Sequence, residues 1–493
     1  MQGNRIRKSV KLILFLTVMG LLVSGCEKES ETKSAGGDEP ITYNTAILYN
    51  EQHSSYDKKA EKKRQEILDT SDTVQPSATG VTYYVSFNGD DNNDGLTPET
   101  AWRSAEKLAE TRGSLIEGDV VLFERGGVYR GAFTLSSGVS YGAYGEGSKP
   151  CIYESMQNYA DESLWESTEE ENVWKINVSG LSDIGNLVFN HGEECAAKKL
   201  KNTLQKDFDY FHDRENEVLY LYLESGNPGK EYDDIEICSD RHIMYGAPNT
   251  HDVFIENLCL KYTGAHAICF ANGAKRITVQ GCEIGYVGGS MLSGQNVRYG
   301  NGFEVVDNCD TIVVKDNWVY QCFDAGITHQ SSYQPGCLQT NITFSDNLIE
   351  YCTYNIEYYV SSENGRIENT VYENNILRFS GYGFGISNRI GSSDSVVANI
   401  CCYVRSMPSN NFVIRNNVMD SPFRFQTTIG CPNDTENNLG PVIEGNTYIQ
   451  QGDEVAIILT NGEAKINLWA TNQKELEEAI AKIDKAPASV TFE

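Results

Sequence analysis

The stretch Ile342-Thr343-Phe344-Ser345-Asp346-Asn347-Leu348-Ile349 decides the fold, because close copies of it recur along the chain. Each copy alternates apolar residues up to a turn, and apolar residues follow the turn. The turn residue stands at positions 257, 282, 317, 347, 375, 417 and 446, and is Asn at all of them except Cys282. The copies recur at intervals of 25 to 42 residues, and this repetition of alternating apolar residues predicts a solenoid of β-strand coils. The longer intervals mark loops.

The recurring Asn can stabilise the stacking of successive coils. Alternate apolar residues point to one face of each strand, which predicts a continuous coil interior. An Asn at the corner tolerates a left-handed backbone, and its amide can join a hydrogen-bonded ladder from coil to coil. Cys322 and Cys352 follow successive turn residues by five positions and predict a stack of small apolar side chains. Helical 3.6-residue periodicity is absent, which excludes an α-solenoid.

Composition divides the 493 residues into six segments. In order, they are a signal peptide, a tether with a possible helix over 56–69, an N-terminal cap with the first coils, an inserted β-rich subdomain, the main coils, and a C-terminal strand with a capping helix. The predicted bounds are 1–25, 26–79, 80–155, 156–245, 246–450 and 451–493. A solenoid explains this length without separate globular domains, because each coil stacks only on its neighbours.

The start of the chain predicts export. A basic region with Arg5 and Lys8 precedes the apolar stretch 12–23, which is too short to span a bilayer, and small residues lead to Cys26. This order resembles a bacterial lipoprotein leader. We expect Cys26 to be lipidated and to hold the protein on the outer face of a bacterial membrane. A transmembrane anchor is the alternative.

The net charge of −29, which becomes −33 without the leader, restricts the partners. Nucleic acid is disfavoured, because phosphate binding needs Lys and Arg. A strongly polyanionic glycan is also disfavoured unless a metal or a local basic patch intervenes. The 14 cysteines show no zinc-type spacing, and their pairing cannot be assigned. We expect a monomer.

One turn has features of a calcium loop. Asp90, Asn92, Asp94 and Gly95 match its first half, but its twelfth position, where Glu is required, is Ala101. A plain Gly/Asp turn is therefore the expectation. No cofactor is predicted, and calcium is the alternative.

From Tyr83 to Gln450 the chain resembles the right-handed parallel β-helix superfamily of carbohydrate-active proteins, which includes pectate-lyase-like enzymes and β-helical glycoside hydrolases. The stretches 84–102, 299–302 and 324–327 carry the resemblance. It implies an all-β, right-handed parallel β-helix that acts on a polysaccharide. The paired-Asp signatures of polygalacturonases and the Asp-Pro-His-Asp motif of alginate epimerases are missing, so neither activity is carried over.

In this fold, the strand that follows each corner lines the substrate groove. The pattern places one set of side chains in the coil interior: Ile268, Phe303, Ile327, Ile356, Phe384 and Phe425. The residue after each should face solvent in one column: Cys269, Glu304, Thr328, Glu357, Gly385 and Gln426. This column therefore predicts which side chains meet the substrate.

Glu304 and Glu357 are the candidate catalytic pair. They lie two coils apart, so at ~4.8 Å per coil their backbones are roughly 9–10 Å apart. Inverting glycosidases need carboxyl groups roughly 6.5–9.5 Å apart, one to protonate the leaving oxygen and one to activate water. Two solvated surface glutamates are the alternative. Asp324, at the strand entrance, is either a third carboxylate or a turn cap.

Further residues near this column are candidates for substrate binding, because aromatic rings and polar side chains suit glycan subsites. They are His266, His329, Gln330, Tyr354, Asn355, Tyr358, Tyr359, Arg389 and Arg424. Alternation points His329 inward, where a core histidine is the alternative. Arg389 and Arg424 could instead serve a lyase as base and as neutraliser of a uronate.

Three functions follow from these residues. The leading hypothesis is a surface-anchored glycoside hydrolase that uses Glu304 and Glu357. The alternatives are a polysaccharide lyase with an Arg base, with or without calcium, and a non-catalytic glycan-binding or adhesive protein. A lyase yields unsaturated uronides, a hydrolase yields only reducing ends, and a binder yields neither.

Overall fold

The computed structural model describes residues 48–292, 297–331, 333–387, 389, 397–402, 408–431, 440–451, 455–461 and 464–493. The predicted signal peptide, Cys26 and the tether up to residue 47 lie outside the described residues. Among the described helices, none is long and apolar enough to cross a bilayer.

The N-terminal part contains two helices and six strands. They are α1 (Asp57–Leu68), β1 (Thr82–Val85), α2 (Glu106–Thr111), β2 (Val120–Glu124), β3 (Val128–Arg130), β4 (Phe133–Thr134), β5 (Ser140–Tyr144) and β6 (Cys151–Tyr153). The helix α1 coincides with the predicted helix over 56–69. It packs on the coils through Ala60 and Ile67, and Arg64 pairs with the buried Glu350 at 2.7 Å.

A β-rich insertion follows the first coils. Its elements are β7 (Glu166–Ser167), β8 (Val173–Asn177), β9 (Ile184–Phe189), β10 (Glu194–Cys195), β11 (Ala197–Lys198), β12 (Asp209–Asp213), β13 (Val218–Tyr222), α3 (Pro228–Glu231) and β14 (Ile235–Ser239). They form a five-stranded and a three-stranded sheet, separate from the coil sheets and mostly antiparallel. These sheets have their own apolar core around Trp165 and Tyr210.

The main coils follow the insertion. They run through β15 (Met244–Gly246), β16 (His251–Glu256), β17 (Cys259–Thr263), β18 (Ile268–Phe270), β19 (Ala274–Gln280), β20 (Glu283–Val287), β21 (Ser290–Met291), β22 (Arg298–Tyr299), β23 (Phe303–Val306), β24 (Cys309–Lys315), β25 (Trp318–Cys322), β26 (Ala325–Ser331), β27 (Leu338–Ser345), β28 (Leu348–Glu350), β29 (Tyr354–Val360), β30 (Arg366–Glu373) and β31 (Ile376–Arg378). The last coils and the C-terminal cap comprise α4 (Phe384–Ser387), β32 (Ala398–Cys401), β33 (Ser409–Arg415), β34 (Val418–Asp420), β35 (Phe425–Thr428), β36 (Gly430–Cys431), β37 (Val442–Glu444), β38 (Thr447–Gln450), β39 (Val455–Asn461), β40 (Ala464–Ala470), α5 (Gln473–Ile480) and β41 (Ser489–Phe492).

Three long sheets run along the molecule, and successive strands of the chain belong to the three sheets in rotation. Sheet A contains β16, β19, β24, β27, β30 and β33, sheet B contains β17, β20, β25, β28, β31 and β34, and sheet C contains β18, β23, β26, β29, β32 and β35. Neighbouring strands within each set are parallel. Crossovers between parallel strands are right-handed almost without exception. The predicted all-β, right-handed parallel β-helix is confirmed.

The Asn ladder forms inside the corner between sheets A and B. Its rungs are Asn317, Asn347, Asn375, Asn417 and Asn446, all fully buried. Each Nδ2 donates to the Oδ1 of the next Asn at 2.9–3.1 Å, and the last donates to Asp484 at 3.0 Å. Cys322 and Cys352 are buried in the coil interior, as predicted. Repeated polar and apolar stacks thus fix the register of successive coils.

The expectation that the corner residue itself adopts the left-handed backbone is wrong at every predicted corner except Asn257. The left-handed residue is the one before it: Gly281, Asp316, Asp346, Asn374, Asn416 and Gly445, with φ between 54° and 72°. Two neighbouring residues therefore form each of these corners. The first adopts the left-handed backbone, and the second, the ladder Asn at all of them except Cys282, places its side chain inside the coil.

The predicted strand at 383–386 is wrong. Phe384 begins the short helix α4, and sheet C continues instead with β32. The glycines explain this: a Cβ on Gly383 would lie 1.9 Å from the carbonyl oxygen of Tyr351, and one on Gly385 would lie 2.4 Å from that of Phe323. The segment packs against the backbone of earlier coils, so it leaves the sheet.

This change also alters which residues of the last two coils continue the interior column. Ile356 is in register with Ile400 and then Thr427, in place of the predicted Phe384 and Phe425. Cys401 and Thr428 accordingly occupy the outward positions predicted for Gly385 and Gln426.

The acidic turn after β1 uses its carboxylates locally. Asp90 Oδ1 accepts hydrogen bonds from the backbone and side-chain nitrogens of Asn92 at 2.9 and 2.8 Å. Asp94 Oδ1 accepts from the backbone of Leu96 at 3.0 Å and from the Thr100 hydroxyl at 2.7 Å. Such contacts are typical of Asx turns.

Candidate active site

A column of side chains crosses sheet C at equivalent positions of successive strands. Its members are Tyr245, Cys269, Glu304, Thr328, Glu357 and Cys401. Glu304 and Glu357 thus lie on one face, two strands apart, with Thr328 between them. At ~4.8 Å per strand their backbones are roughly 9–10 Å apart. The structure brings the two predicted carboxylates into one site.

The expectation that this column faces open solvent is wrong. Glu304 and Glu357 each expose only 4% of their surface, and Cys269, Thr328 and Cys401 are buried as well. The side chains of His266, Asn301 and Tyr354, all buried, lie around the pair. The carboxylates occupy a closed site on the outer face of the coil, where weak screening strengthens electrostatic interactions.

Glu304 is held by three donors, one from the coil before, one from the coil after and one from its own coil. Its Oε2 lies 2.5 Å from His266 Nε2 and accepts from Asn301 Nδ2 at 3.3 Å. Its Oε1 accepts from Gln330 Nε2. Burial raises the pKa of Glu304, but His266 and the amides of Gln330 and Asn301 outweigh it and leave this pKa below its ordinary value. Glu304 is therefore a carboxylate at neutral pH.

The backbone fixes the tautomer of His266. The N–H of Asn301 donates to His266 Nδ1 at 2.9 Å, so Nδ1 bears a lone pair and the proton resides on Nε2. The Nε2–H consequently donates to Glu304. His242 stacks on His266 with ring centroids 5.0 Å apart and accepts from the backbone N–H of His266 at 3.2 Å. Burial lowers the pKa of His242 to about 3, so this ring is neutral.

His266, Cys269 and Glu304 have ligand atoms within 4.8 Å of one another, a spacing that suits a metal ion. The donor chemistry does not fit one. A histidine that binds metal through Nε2 donates its Nδ1–H to an acceptor, whereas Nδ1 of His266 faces a donor. Burial also raises the pKa of the Cys269 thiol well above its usual range. His266 and Glu304 are instead joined directly, with Nε2 2.5 Å from Oε2.

Glu357 has the opposite environment. Burial raises its pKa well above the ordinary value, and the negative charges of Asp324 and Glu304 raise it further. The Thr328 hydroxyl donates to Glu357 Oε2 at 3.2 Å and Arg389 lies nearby, but neither offsets these effects. Burial and the two acidic neighbours therefore favour the protonated form of Glu357, beside an ionised Glu304.

Asp324 lies immediately before β26, at the entrance to the strand. Its backbone oxygen accepts from the N–H groups of Thr353 and Tyr354 on the next coil. Its side chain is an electrostatic neighbour of Glu357 and accepts from Arg389 at 2.6 Å. Arg389 also donates to the carbonyl of Phe323 at 2.8 Å, and its guanidinium lies 4.5 Å from that ring. Arg389 is thus engaged with Asp324.

Three predicted substrate ligands lie inside the coil, and these predictions are wrong. His329 is fully buried, with Nδ1 2.6 Å from Gln339 Oε1 and Nε2 2.5 Å from the Tyr372 hydroxyl. Tyr358 belongs to the same interior cluster. Asn355 donates to the carbonyl of Arg378 and to Asn399, both at 2.9 Å. Strand alternation points the side chains of His329 and Tyr358 into the coil interior. Asn355 lies just after the corner, where its amide belongs to a ladder of amides inside the coil.

The remaining candidates lie on the outward side. Gln330 positions Glu304, and Tyr359, half-buried, is in register with Gln330 on the next strand. Tyr354 packs beside the pair with Phe425. The guanidinium of Arg424 lies over the ring of Phe425, 5.1 Å from its centroid.

Sequence reasoning missed several residues of the site. His242 is one, although it precedes Met244 by two residues as His266 precedes Ile268, and these strands are in register. Asn301 is another. Tyr299 places its ring edge on His266, with centroids 4.9 Å apart, and donates to Asp240 Oδ1 at 2.5 Å. A coil-by-coil comparison would have found His242, whereas Tyr299 comes from a hairpin outside the repeat.

No protein-family model and no curated protein matches the chain. Solved structures that resemble it include XylC in complex with xylose, at 13% identity, 77% coverage of this chain, 70% of that chain and a TM-score of 0.42. A glycoside hydrolase matches at 10% identity over 84% of this chain and 96% of that one, with a TM-score of 0.42. The GH136 lacto-N-biosidase from Eubacterium ramulus matches at 13% identity over 89% and 70%, with a TM-score of 0.37. Likenesses this distant assign neither a substrate nor a mechanism to this chain.

Proposed function

We propose that the protein is a carbohydrate-active enzyme that hydrolyses a glycosidic bond, with Glu357 as general acid and Glu304 as general base. The observation that supports this most is that two carboxyl groups lie on one face in opposite surroundings. Burial and two acidic neighbours raise the pKa of Glu357, whereas three hydrogen-bond donors lower the pKa of Glu304. Pairs of carboxyl groups with pKa values driven apart are a mark of acid–base catalysis.

The reaction follows from these protonation states. Glu357 gives its proton to the leaving glycosidic oxygen as the bond to the anomeric carbon breaks. Glu304 takes a proton from the water that attacks the same carbon. The reaction therefore leaves Glu357 ionised and Glu304 protonated, and proton exchange with solvent restores the starting state. The two carboxyl groups come from strands two apart, with backbones roughly 9–10 Å apart. This wide placement supports inversion of configuration, in which the carboxyl groups are far enough apart to admit the attacking water.

The charges around the pair favour hydrolysis over β-elimination. Asp240, Asp324 and Glu304 make the site acidic, and Arg389 is ion-paired with Asp324. A lyase needs a basic side chain near neutral pH and a cation for the uronate carboxylate. An uncharged glycan is the substrate that this acidic surface accepts best. A non-catalytic binder has no use for oppositely ionised carboxyl groups.

The test uses Glu304→Gln and Glu357→Gln against a panel of soluble neutral and uronate-containing polysaccharides. We expect the wild type to release reducing ends, and each variant to lose about 10²–10⁴-fold in rate with an unchanged far-ultraviolet spectrum. Full activity in either variant discards the proposed pair. Unsaturated uronides in the products would show a lyase, and binding without any cleavage would show a binder.

We also propose that the protein is exported and anchored through a lipid on Cys26. The basic, apolar and small-residue order before Cys26 supports this. An anchored enzyme would meet glycans at the cell surface.

A further inference from the structure

The outward column of sheet C is closed over the carboxylates but opens at its N-terminal end. Cys269, Glu304, Thr328, Glu357 and Cys401 are all buried. Tyr245, at the equivalent position one strand before Cys269, is half-buried. Among the described strands from β15 to β32, solvent therefore reaches this column at Tyr245.

The ring of Tyr245 is also the outermost member of an aromatic stack that reaches the site. Tyr245 stacks on His242 with centroids 5.6 Å apart and an interplanar angle of 23°. His242 stacks on His266 at 5.0 Å and 17°, and His266 contacts Glu304 at 2.5 Å. Because His242 is neutral, the stack presents uncharged faces.

We propose that Tyr245 is a sugar-binding subsite, on which a ring of the glycan stacks next to the bond that is cut. This inference rests on the proposed function. Tyr245 lies two strands from Glu304, roughly 9–10 Å between backbones, so the ring it binds is a neighbour of the reacting sugar. The stack on His242 holds the tyrosine ring in place, which lowers the entropic cost of binding.

Binding is measured by affinity electrophoresis in gels that contain soluble xylan, arabinan, galactan or mixed-linkage β-glucan. All proteins carry Glu357→Gln, so that hydrolysis does not alter the gel. Tyr245→Ala removes the ring, and Tyr245→Phe retains it. Tyr220→Ala is the matched control, because Tyr220 is half-buried and stacked on Phe211 but lies on the insertion.

We expect Tyr245→Ala to weaken binding about three- to ten-fold, the range of an aromatic stacking contact, in the gel that retards the parent protein. Tyr245→Phe and Tyr220→Ala should match the parent. Unchanged retardation of Tyr245→Ala, or no retardation of the parent in any gel, would overturn the subsite. Retardation that depends on Tyr245, with no cleavage by the wild type, would support the subsite and refute the proposed hydrolysis.

Discussion

Substitution of His266 by Ala tests the electrostatic basis of the site. In the wild type, the Nε2–H of His266 donates to Glu304 at 2.5 Å and helps to hold the pKa of this buried carboxyl down. A hydrogen bond to a charged group contributes about 1.5–3 kcal/mol, and one pKa unit corresponds to about 1.4 kcal/mol. The loss of this donor should therefore raise the pKa of Glu304 by about one to two units.

The assay is the pH dependence of kcat/KM. The proposed base must be ionised, so activity falls as the pH drops through the pKa of Glu304. In His266→Ala this acidic limb should move to higher pH by about one to two units. His266→Gln, which keeps an N–H donor, should show a smaller shift. An acidic limb at the same pH in His266→Ala would refute the reasoning, provided that its thermal unfolding midpoint shows a folded protein.

Thr328→Val is the matched control. Thr328 lies between the two carboxylates but donates only to Glu357, at 3.2 Å, and so lowers the pKa of the proposed acid. Activity is lost as the pH rises through the pKa of Glu357. The variant should therefore move the alkaline limb to higher pH and leave the acidic limb in place.

Three further outcomes are expected. Asn375→Ala removes an amide that bonds Asn347, Asn417 and the carbonyl of Phe344, so urea unfolding should show a loss of at least about 2 kcal/mol; the exposed Asn410→Ala should cost far less, and equal losses would contradict the ladder's role. Proton NMR of the first product should show an inverted anomeric centre, and retention would exclude the water-mediated geometry. Cys26→Ser should move the protein from the membrane fraction to the soluble fraction, and continued membrane retention would rule out the lipid as anchor.

The coil register was predictable because it depends on local patterns. Alternation around residues such as Ile327 and Ile356 fixes which side chains point inward, and the corner Asn fixes where each strand starts. Glu304 and Glu357 followed from that register alone. His329 shows the same rule, since alternation pointed it inward and the structure buries it there.

The failure at 383–386 has a tertiary cause. Gly383 and Gly385 lie against carbonyl groups of earlier coils, at distances that leave no room for a Cβ. Apolar alternation in Phe384 and Ile386 is the same in a strand and in this packed turn. Only the contact of this segment with Tyr351 and Phe323 distinguishes the packed turn from a strand.

The closure of the site and the ionisation of its carboxyl groups also lay beyond the sequence. Glu304 depends on His266 and Gln330 from the coils on either side, and Glu357 depends on Asp324. Each of these contacts joins residues 20 or more positions apart. A sequence pattern places such residues on a face but does not give the direction of a pKa shift.

The ionisation of the pair can be measured without a substrate. Infrared difference spectra at neutral pH, wild type minus Glu357→Gln, should contain the carbonyl band of a buried, protonated carboxylic acid. The corresponding spectrum for Glu304→Gln should lack this band and show a carboxylate instead. A band that is absent from the first spectrum, or that appears only in the second, would contradict the assignment of acid and base.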